Sequence, residues 1–145
     1  MQERIFVTGI DTGIGKTVVS AILTEKIKAD YWKPIQSGDL HDSDTMKVRS
    51  LVANSQSRFH PEAYRLTQPL SPHESAGRDG IEISIKEIRL PETERSLIIE
   101  GAGGLMVPLN EQELMIDLIK HLDAKTVLVS RNYLGSINHT LLSAF

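Results

Sequence analysis

The stretch from Ile5 to Thr17, IFVTGIDTGIGKT, constrains this chain more than any other. Ile5, Phe6, Val7 and Thr8 are apolar or β-branched and suit a buried strand. Glycines at 9, 13 and 15 break the run, and Lys16-Thr17 opens a helical pattern. Strand, glycine-rich turn, Gly-Lys-Thr and helix in that order make a phosphate-binding loop. Such a loop aims backbone N–H groups and the positive end of a helix dipole at an anion. Lys16 is then placed to reach the terminal phosphates of a nucleotide, and the Thr17 hydroxyl to ligate Mg²⁺. The spacing is irregular. The common form has four residues between the first glycine and the Gly-Lys pair, whereas five separate Gly9 from Gly15 here, and Ile10 stands at the regular glycine position. The bland alternative is a plain strand-to-helix turn with an exposed lysine.

Downstream, strands and helices alternate. A helix is expected from Lys16 to about Lys28, with Val19, Leu23 and Ile27 on one face and Ile22 widening the stripe. Tyr31 to Ile35 reads as a short strand, with Pro34 near its end marking an edge or an exit. Asp42 or Ser43 can cap a helix through Met46, Val48 and Leu51. Residues 54–61 read as loop and 63–66 as a brief strand. Ser71-Pro72-His73-Glu74 has the form of a helix start. Ile81, Ile83 and Ile85 alternate with polar residues, which fits an exposed strand or the run into a short helix. Ser96 to Glu100 is a buried strand ended by Gly101-Ala102-Gly103-Gly104. Asn110 to Glu113 leads into a helix carrying Leu114, Leu118 and Leu122, with Met115 and Ile119 beside them. Lys125 to Val129 is a further strand, and Leu134-Gly135-Ser136 opens a last helix. The strands are continuous apolar runs, the mark of a parallel sheet covered on both faces. The expected fold is therefore α/β and P-loop NTPase-like, a mostly parallel sheet with helices on both faces.

Length fits one domain: 145 residues can bury a core. The chain stops at Leu141-Leu142-Ser143-Ala144-Phe145, inside an apolar helical pattern with no closing cap. That pattern reads as a single domain over residues 1–145 that is cut rather than finished. A net charge of −3 gives no general attraction to nucleic acid or to an anionic membrane. Cysteine is absent, so neither a disulfide framework nor a thiolate metal site is available. No signal peptide or membrane-length apolar run is visible, and a cytoplasmic location is expected.

In a parallel sheet the binding groups gather at the carboxyl ends of the strands. There the sequence places the phosphate loop, then Lys33 and Ser37, then Glu100 with its glycines, then Ser130, Arg131 and Asn132. Glu100, at the end of a buried strand, suits a Mg²⁺-linked carboxylate, and Asp44 and Asp11 are further candidates. Lone carboxylates also serve as caps or surface charges. Lys33 reads equally as a surface lysine or as a cation steadying a reacting anion. Gly135-Ser136-Ile137-Asn138 can bind a carboxylate or phosphate, or simply cap a helix. The histidines at 41, 60, 73, 121 and 139 show no metal-ligand spacing. No nucleophile–histidine–acid arrangement is present, so covalent catalysis is not expected.

Several stretches together resemble the dethiobiotin synthetase family: Thr8 to Thr17, Trp32-Lys33-Pro34-Ile35-Gln36-Ser37-Gly38, Asp42-Ser43-Asp44, Ser71-Pro72-His73, Glu100-Gly101-Ala102-Gly103-Gly104 and Leu134 to His139. The five-residue spacing in the loop belongs to that family's form of the motif. The resemblance implies an ATP- and Mg²⁺-dependent enzyme that closes a ureido ring on 7,8-diaminopelargonate. One amine takes up CO₂ as a carbamate, whose oxygen attacks the γ-phosphate of ATP. The second amine then displaces phosphate from the carbamic–phosphoric anhydride. The resemblance implies Lys16, Lys33 and Thr12 at the reacting groups. It implies an ATP site of Gly13, Ile14, Gly15, Lys16, Thr17, Val18, Asp44 and Glu100, with Thr17, Asp44 and Glu100 serving Mg²⁺. Ser37 would contact substrate. Gly135, Ser136, Ile137 and Asn138 would bind the carboxylate tail of a substrate held by the partner subunit of a homodimer. Gly13 departs from the family, many of whose members have an acid there. Members also continue beyond Phe145, so the resemblance implies that the single α/β domain of residues 1–145 lacks its C-terminal strands and helices, adenine-reading residues among them. An alternative is a partition or septum-positioning ATPase, which usually carries a signature lysine where this chain has Asp11. Another is an amide-forming synthetase acting on a corrin-ring acid, which normally carries a glutaminase domain with a reactive cysteine.

Overall fold

The computed structural model describes residues 2–145. Arg4–Gly9 forms β1 and Lys16–Ile27 forms α1. Asp30–Trp32 is β2, Ile35–Ser37 is β3, and Asp44–Leu51 is α2. Phe59–His60 is β4, Tyr64–Leu66 is β5, and Pro72–Arg78 is α3. A 3₁₀ turn at Ile85–Glu87 precedes β6 at Leu97–Gly104. Met115–His121 forms α4, Lys125–Val129 forms β7, and Ser136–Ala144 forms α5. The main sheet has the order β4-β2-β6-β1-β7, and each of its pairings is parallel. Strands β3 and β5 pair, also in parallel, in a separate ribbon.

Side-chain alternation along the strands divides the core in two. Phe6, Trp32, Leu97 and Ile99 pack with Ala76 of α3 and Met115, Leu118 and Ile119 of α4. Val7, Tyr31 and Ile98 pack with Ala21 of α1 and Val48 of α2. Because successive strand residues face opposite ways, Glu100 projects to the same face as Ile98, the α1 face. There it meets Tyr31 and Thr17.

The fold class is the expected one, and several local expectations are corrected. The buried face of α1 carries Lys16, Ser20, Ala21 and Thr24, while Val18, Ile22 and Ile27 are exposed. Val19 and Leu23 of the expected stripe pack, partly buried, against the core, whereas Ile22 and Ile27 do not, and the fully buried positions are taken by smaller or polar residues. The single strand expected from Tyr31 to Ile35 is two, β2 in the main sheet and β3 in the ribbon, with Pro34 at the exit between them. Proline cannot donate to a ladder, so the chain changes sheets there. Residues 59–60, expected as loop, form the edge strand β4 through the pairs Tyr31↔Phe59 and Trp32↔His60. The strand ending at Glu100 continues through the glycines to Gly104, which pairs with Gly9 across a register shift. The alternating isoleucines lead into the 3₁₀ turn, with Ile83 and Ile88 buried. The cap of α2 is Ser43, whose Oγ accepts from the Met46 N–H at 3.3 Å. In α3, Glu74 pairs with Arg78 rather than closing a capping box.

Candidate functional site

The four polar strand ends lie along one edge of the parallel sheet. β1 runs into the glycine loop, in which Gly13 and Gly15 take positive φ of 70° and 107°. Gly9 is required for packing: a Cβ there would sit 2.3 Å from Ile14 Cδ1. Ile14 is buried and holds the loop down. The Lys16 ammonium donates to the Asp11 carbonyl at 2.8 Å. Burial lowers the Lys16 pKa, and the nearby Lys33 cation lowers it further, against the opposing pull of Glu100, Asp44 and Asp11.

Behind the loop lies a buried charged cluster. The Lys33 Nζ is 2.8 Å from Asp44 Oδ2 and 3.5 Å from Glu100 Oε1, and it donates to the Gly101 carbonyl at 3.2 Å. Burial works to lower the Lys33 pKa, but Glu100 and Asp44 outweigh it and hold the value above the usual lysine range. For Asp44, burial works upward, and Lys33 outweighs it and lowers the pKa. Glu100 Oε1 accepts from the Thr17 hydroxyl and Oε2 accepts from the Tyr31 hydroxyl, both at 2.8 Å. Burial, then Glu100, pushes the Tyr31 phenol well above its ordinary value, so it stays a proton donor. Asp44 is held at its backbone, where its N–H donates to Gln36 Oε1 at 3.1 Å.

A cleft of about 700 Å³ opens over this cluster. Thr12, Gly13, Gly15, Lys16, Thr17 and Val18 line its loop side. Lys33, Asp44 and Glu100 form its floor, with Ser37 beside them. Pro69, Leu70, Pro72 and Val107 make an apolar wall, and Asp39 and Lys47 also line the cleft. The Ser37 hydroxyl is buried and has no hydrogen-bond partner among the described residues. Sequence reasoning missed Asp39, Lys47, Tyr31 and the apolar wall. Their signal is tertiary, because the wall comes from the β5–α3 loop and from the segment after β6.

The oxygen donors fit Mg²⁺, which takes carboxylate, hydroxyl and phosphate oxygens. Thr17 gives its proton to Glu100, which leaves the hydroxyl lone pairs free for a cation. Two expectations lie outside the cleft. Ile14 is buried against Gly9 and does not line it, and Gly135, Ser136, Ile137 and Asn138 sit at the start of α5, also outside it. No residue of α5 is buried, and Leu134 and Ile137 are exposed. At the end of β7, the Arg131 guanidinium donates to the Gly13 carbonyl at 3.4 Å. Among the described residues no helix is long and apolar enough to cross a membrane.

The AAA domain family matches residues 3–144. The chain is similar to the ATP-dependent dethiobiotin synthetase BioD of Christiangramia forsetii, with 60% identity over 143 residues that cover 99% of this chain and 69% of that protein. It is 52% identical over 144 residues to the synthetase of the same name from Cytophaga hutchinsonii, covering 99% and 69% of the two chains. The Brucella ovis protein of that name is 51% identical over 143 residues, covering 99% and 68%.

Proposed function

The chain belongs to the ATP-dependent dethiobiotin synthetase family, and from that premise we propose how its cleft residues divide the work of the reaction. The reaction joins CO₂ to 7,8-diaminopelargonate at the expense of ATP, through a carbamate and a carbamic–phosphoric anhydride, and yields dethiobiotin, ADP and phosphate. The observation that carries the assignment is the Lys33–Asp44–Glu100 cluster beneath the phosphate loop.

Phosphates of ATP lie against the loop N–H groups at residues 13–18. Lys16 leaves the Asp11 carbonyl for the phosphate oxygens, and their charge restores the ammonium form that burial disfavours. Thr17, Asp44 and Glu100 would hold Mg²⁺ through their oxygens, and the ion would supply neutralisation of phosphate charge. Lys33 is nearly excluded from water and is kept cationic by its two carboxylates. In that low-dielectric setting it steadies the carbamate oxygen and the phosphoryl oxygens that share the developing charge. Thr12, on the loop side of the cleft, lies near the reacting groups. Ser37 offers its unpartnered hydroxyl to the substrate. Catalysis then rests on positioning and charge.

The α5 start, Gly135 to Asn138, lies outside its own cleft, which supports the reading that it binds the carboxylate tail of a substrate held by a partner subunit. A homodimer follows from that reading. Sedimentation at assay concentration tests it, and a monomer that turns over at full rate would count against it. For the reaction, the protein is supplied with diaminopelargonate, bicarbonate, Mg²⁺ and ATP while ureido product and phosphate are followed. ATP hydrolysis that ignores the diamine, with no ring closure, would sink the synthetase assignment.

A further inference from the structure

The acids that line the cleft are not equivalent. Asp44 and Glu100 are both paired with the Lys33 ammonium. The cleft's remaining cations are also committed, Lys47 to Asp42 at 3.5 Å and Asp44 at 3.9 Å, and Lys16 to the Asp11 carbonyl. Asp39 lines the same cleft from an exposed position at its rim, where among the described residues its carboxylate makes no salt bridge or hydrogen bond and faces solvent. Its backbone is held at φ 50°, left-handed for a non-glycine residue, and its carbonyl accepts from the Asp42 N–H at 2.9 Å. The preceding Gly38 has φ 69°, its N–H donates to the Leu66 carbonyl at 2.8 Å, and it lies against Pro69. The turn is therefore pinned from both sides. It presents Asp39 two residues beyond Ser37, whose buried hydroxyl also lacks a partner. Aspartate is among the few side chains that take a left-handed backbone as single residues, and here the hydrogen bonds on both sides hold it there.

We propose that Asp39 recognises an ammonium group of the diamine substrate, with the Ser37 hydroxyl beside it. This rests on the synthetase reading. In water the vicinal diamine is cationic, and every other carboxylate in the cleft already has a lysine. Asp39 is the acid left to meet it, and an ammonium held there keeps the diamine end of the substrate at the floor where Lys33 works. Asp39 thereby determines specificity for a cationic amine over a neutral alkyl chain, and the apolar wall of Pro69, Leu70 and Pro72 lies alongside for that chain.

Two variants test the assignment. Asp39→Asn removes the charge while keeping a side chain that tolerates a left-handed backbone as aspartate does, and Asp39→Gly removes the side chain altogether at a φ glycine adopts freely. In both, the KM for diaminopelargonate should rise roughly 10- to 100-fold, the range for losing a hydrogen bond to a charged group. ADP affinity, read by calorimetry, should stay within about twofold of wild type. An unchanged KM in either variant overturns the proposal, and so does a loss of ADP affinity equal to the loss of diamine affinity in the glycine variant, because it would show a structural role. Calorimetric titration with diaminopelargonate gives the same comparison without turnover. Absence of diamine-dependent phosphate release by the wild type would instead strike the synthetase reading itself.

Discussion

The Lys33 ammonium lies 2.8 Å from Asp44 Oδ2, its side chain 5% exposed and that of Asp44 25%. One partner comes from the residue after β2 and the other from the first turn of α2. The contact ties the helix to the sheet edge where the phosphate loop begins. Removing Lys33 leaves two carboxylates, one of them the buried Glu100, without their cation, whereas removing Asp44 leaves Lys33 with Glu100 alone.

Lys33→Met should abolish turnover and also destabilise the fold. Breaking a buried pair typically costs about 3–5 kcal/mol. Urea unfolding of Lys33→Met and of the double variant Lys33→Met/Asp44→Asn checks this. The double variant should recover part of the lost stability; equal losses would mean that the pair is not coupled.

The same pair sets limits of pH. Asp44 has a lowered folded pKa, against burial, because of Lys33. Its contribution is present above the ordinary aspartate value of about 3.9 and is lost as pH falls through the lower folded value. Lys33 has a raised folded pKa, so its contribution is complete below the ordinary lysine value of about 10.4 and is lost as pH rises through the folded value. Denaturation midpoints across acid and alkaline pH should fall at both ends. Asp44→Asn should flatten the acid limb, and an unaltered acid limb would assign it to other carboxylates such as Asp30. That buried acid is also lowered, with burial opposed by the Arg58 N–H, Thr93 and His60.

Lys16→Ala should lose nucleotide binding and turnover while folding normally. Its ammonium holds only a loop carbonyl, and burial already disfavours its charge. The expected change in stability is within about 1 kcal/mol. ATP titration and thermal melting read the two effects apart, and retained ATP affinity would remove the phosphate-loop assignment.

Gly38→Ala should deform the substrate side of the cleft. A Cβ at Gly38 would lie 2.6 Å from the backbone of Pro69, and φ is 69°. Left-handed strain of about 1–2 kcal/mol adds to overpacking of about 1–3 kcal/mol. Unfolding should show a loss of roughly 2 kcal/mol or more. A variant as stable as wild type would mean that the turn moves freely and that Asp39 is not held.

Much of the candidate site is legible in the sequence, because its pattern is local. Gly-Lys-Thr after an apolar strand places Lys16 and Thr17 by adjacency alone, and Glu100 is marked by the buried run before it. Asp44 and Lys33 were visible as candidates, but their mutual contact was not, since eleven positions and a change of sheet separate them. The buried face of α1 was legible in part, through Val19 and Leu23 but not Ile22 and Ile27, for a physical reason. Close packing on the sheet selects Ser20, Ala21 and Thr24 for size, and hydropathy does not report size. The two-residue strand β4 carries no periodicity and exists only because β2 offers it an edge.

The sequence by itself determined the alternation of strand and helix, the phosphate loop and the set of acids and lysines near it, since these follow from local pattern and backbone preference. Tertiary structure decided which charges neutralise one another. The parallel register brings Glu100 to Thr17 and Tyr31, and the crossing of α2 brings Asp44 to Lys33. Asp39 was left without a cation. Pairing depends on distances of a few ångströms between segments remote in the chain, and only packing sets those distances.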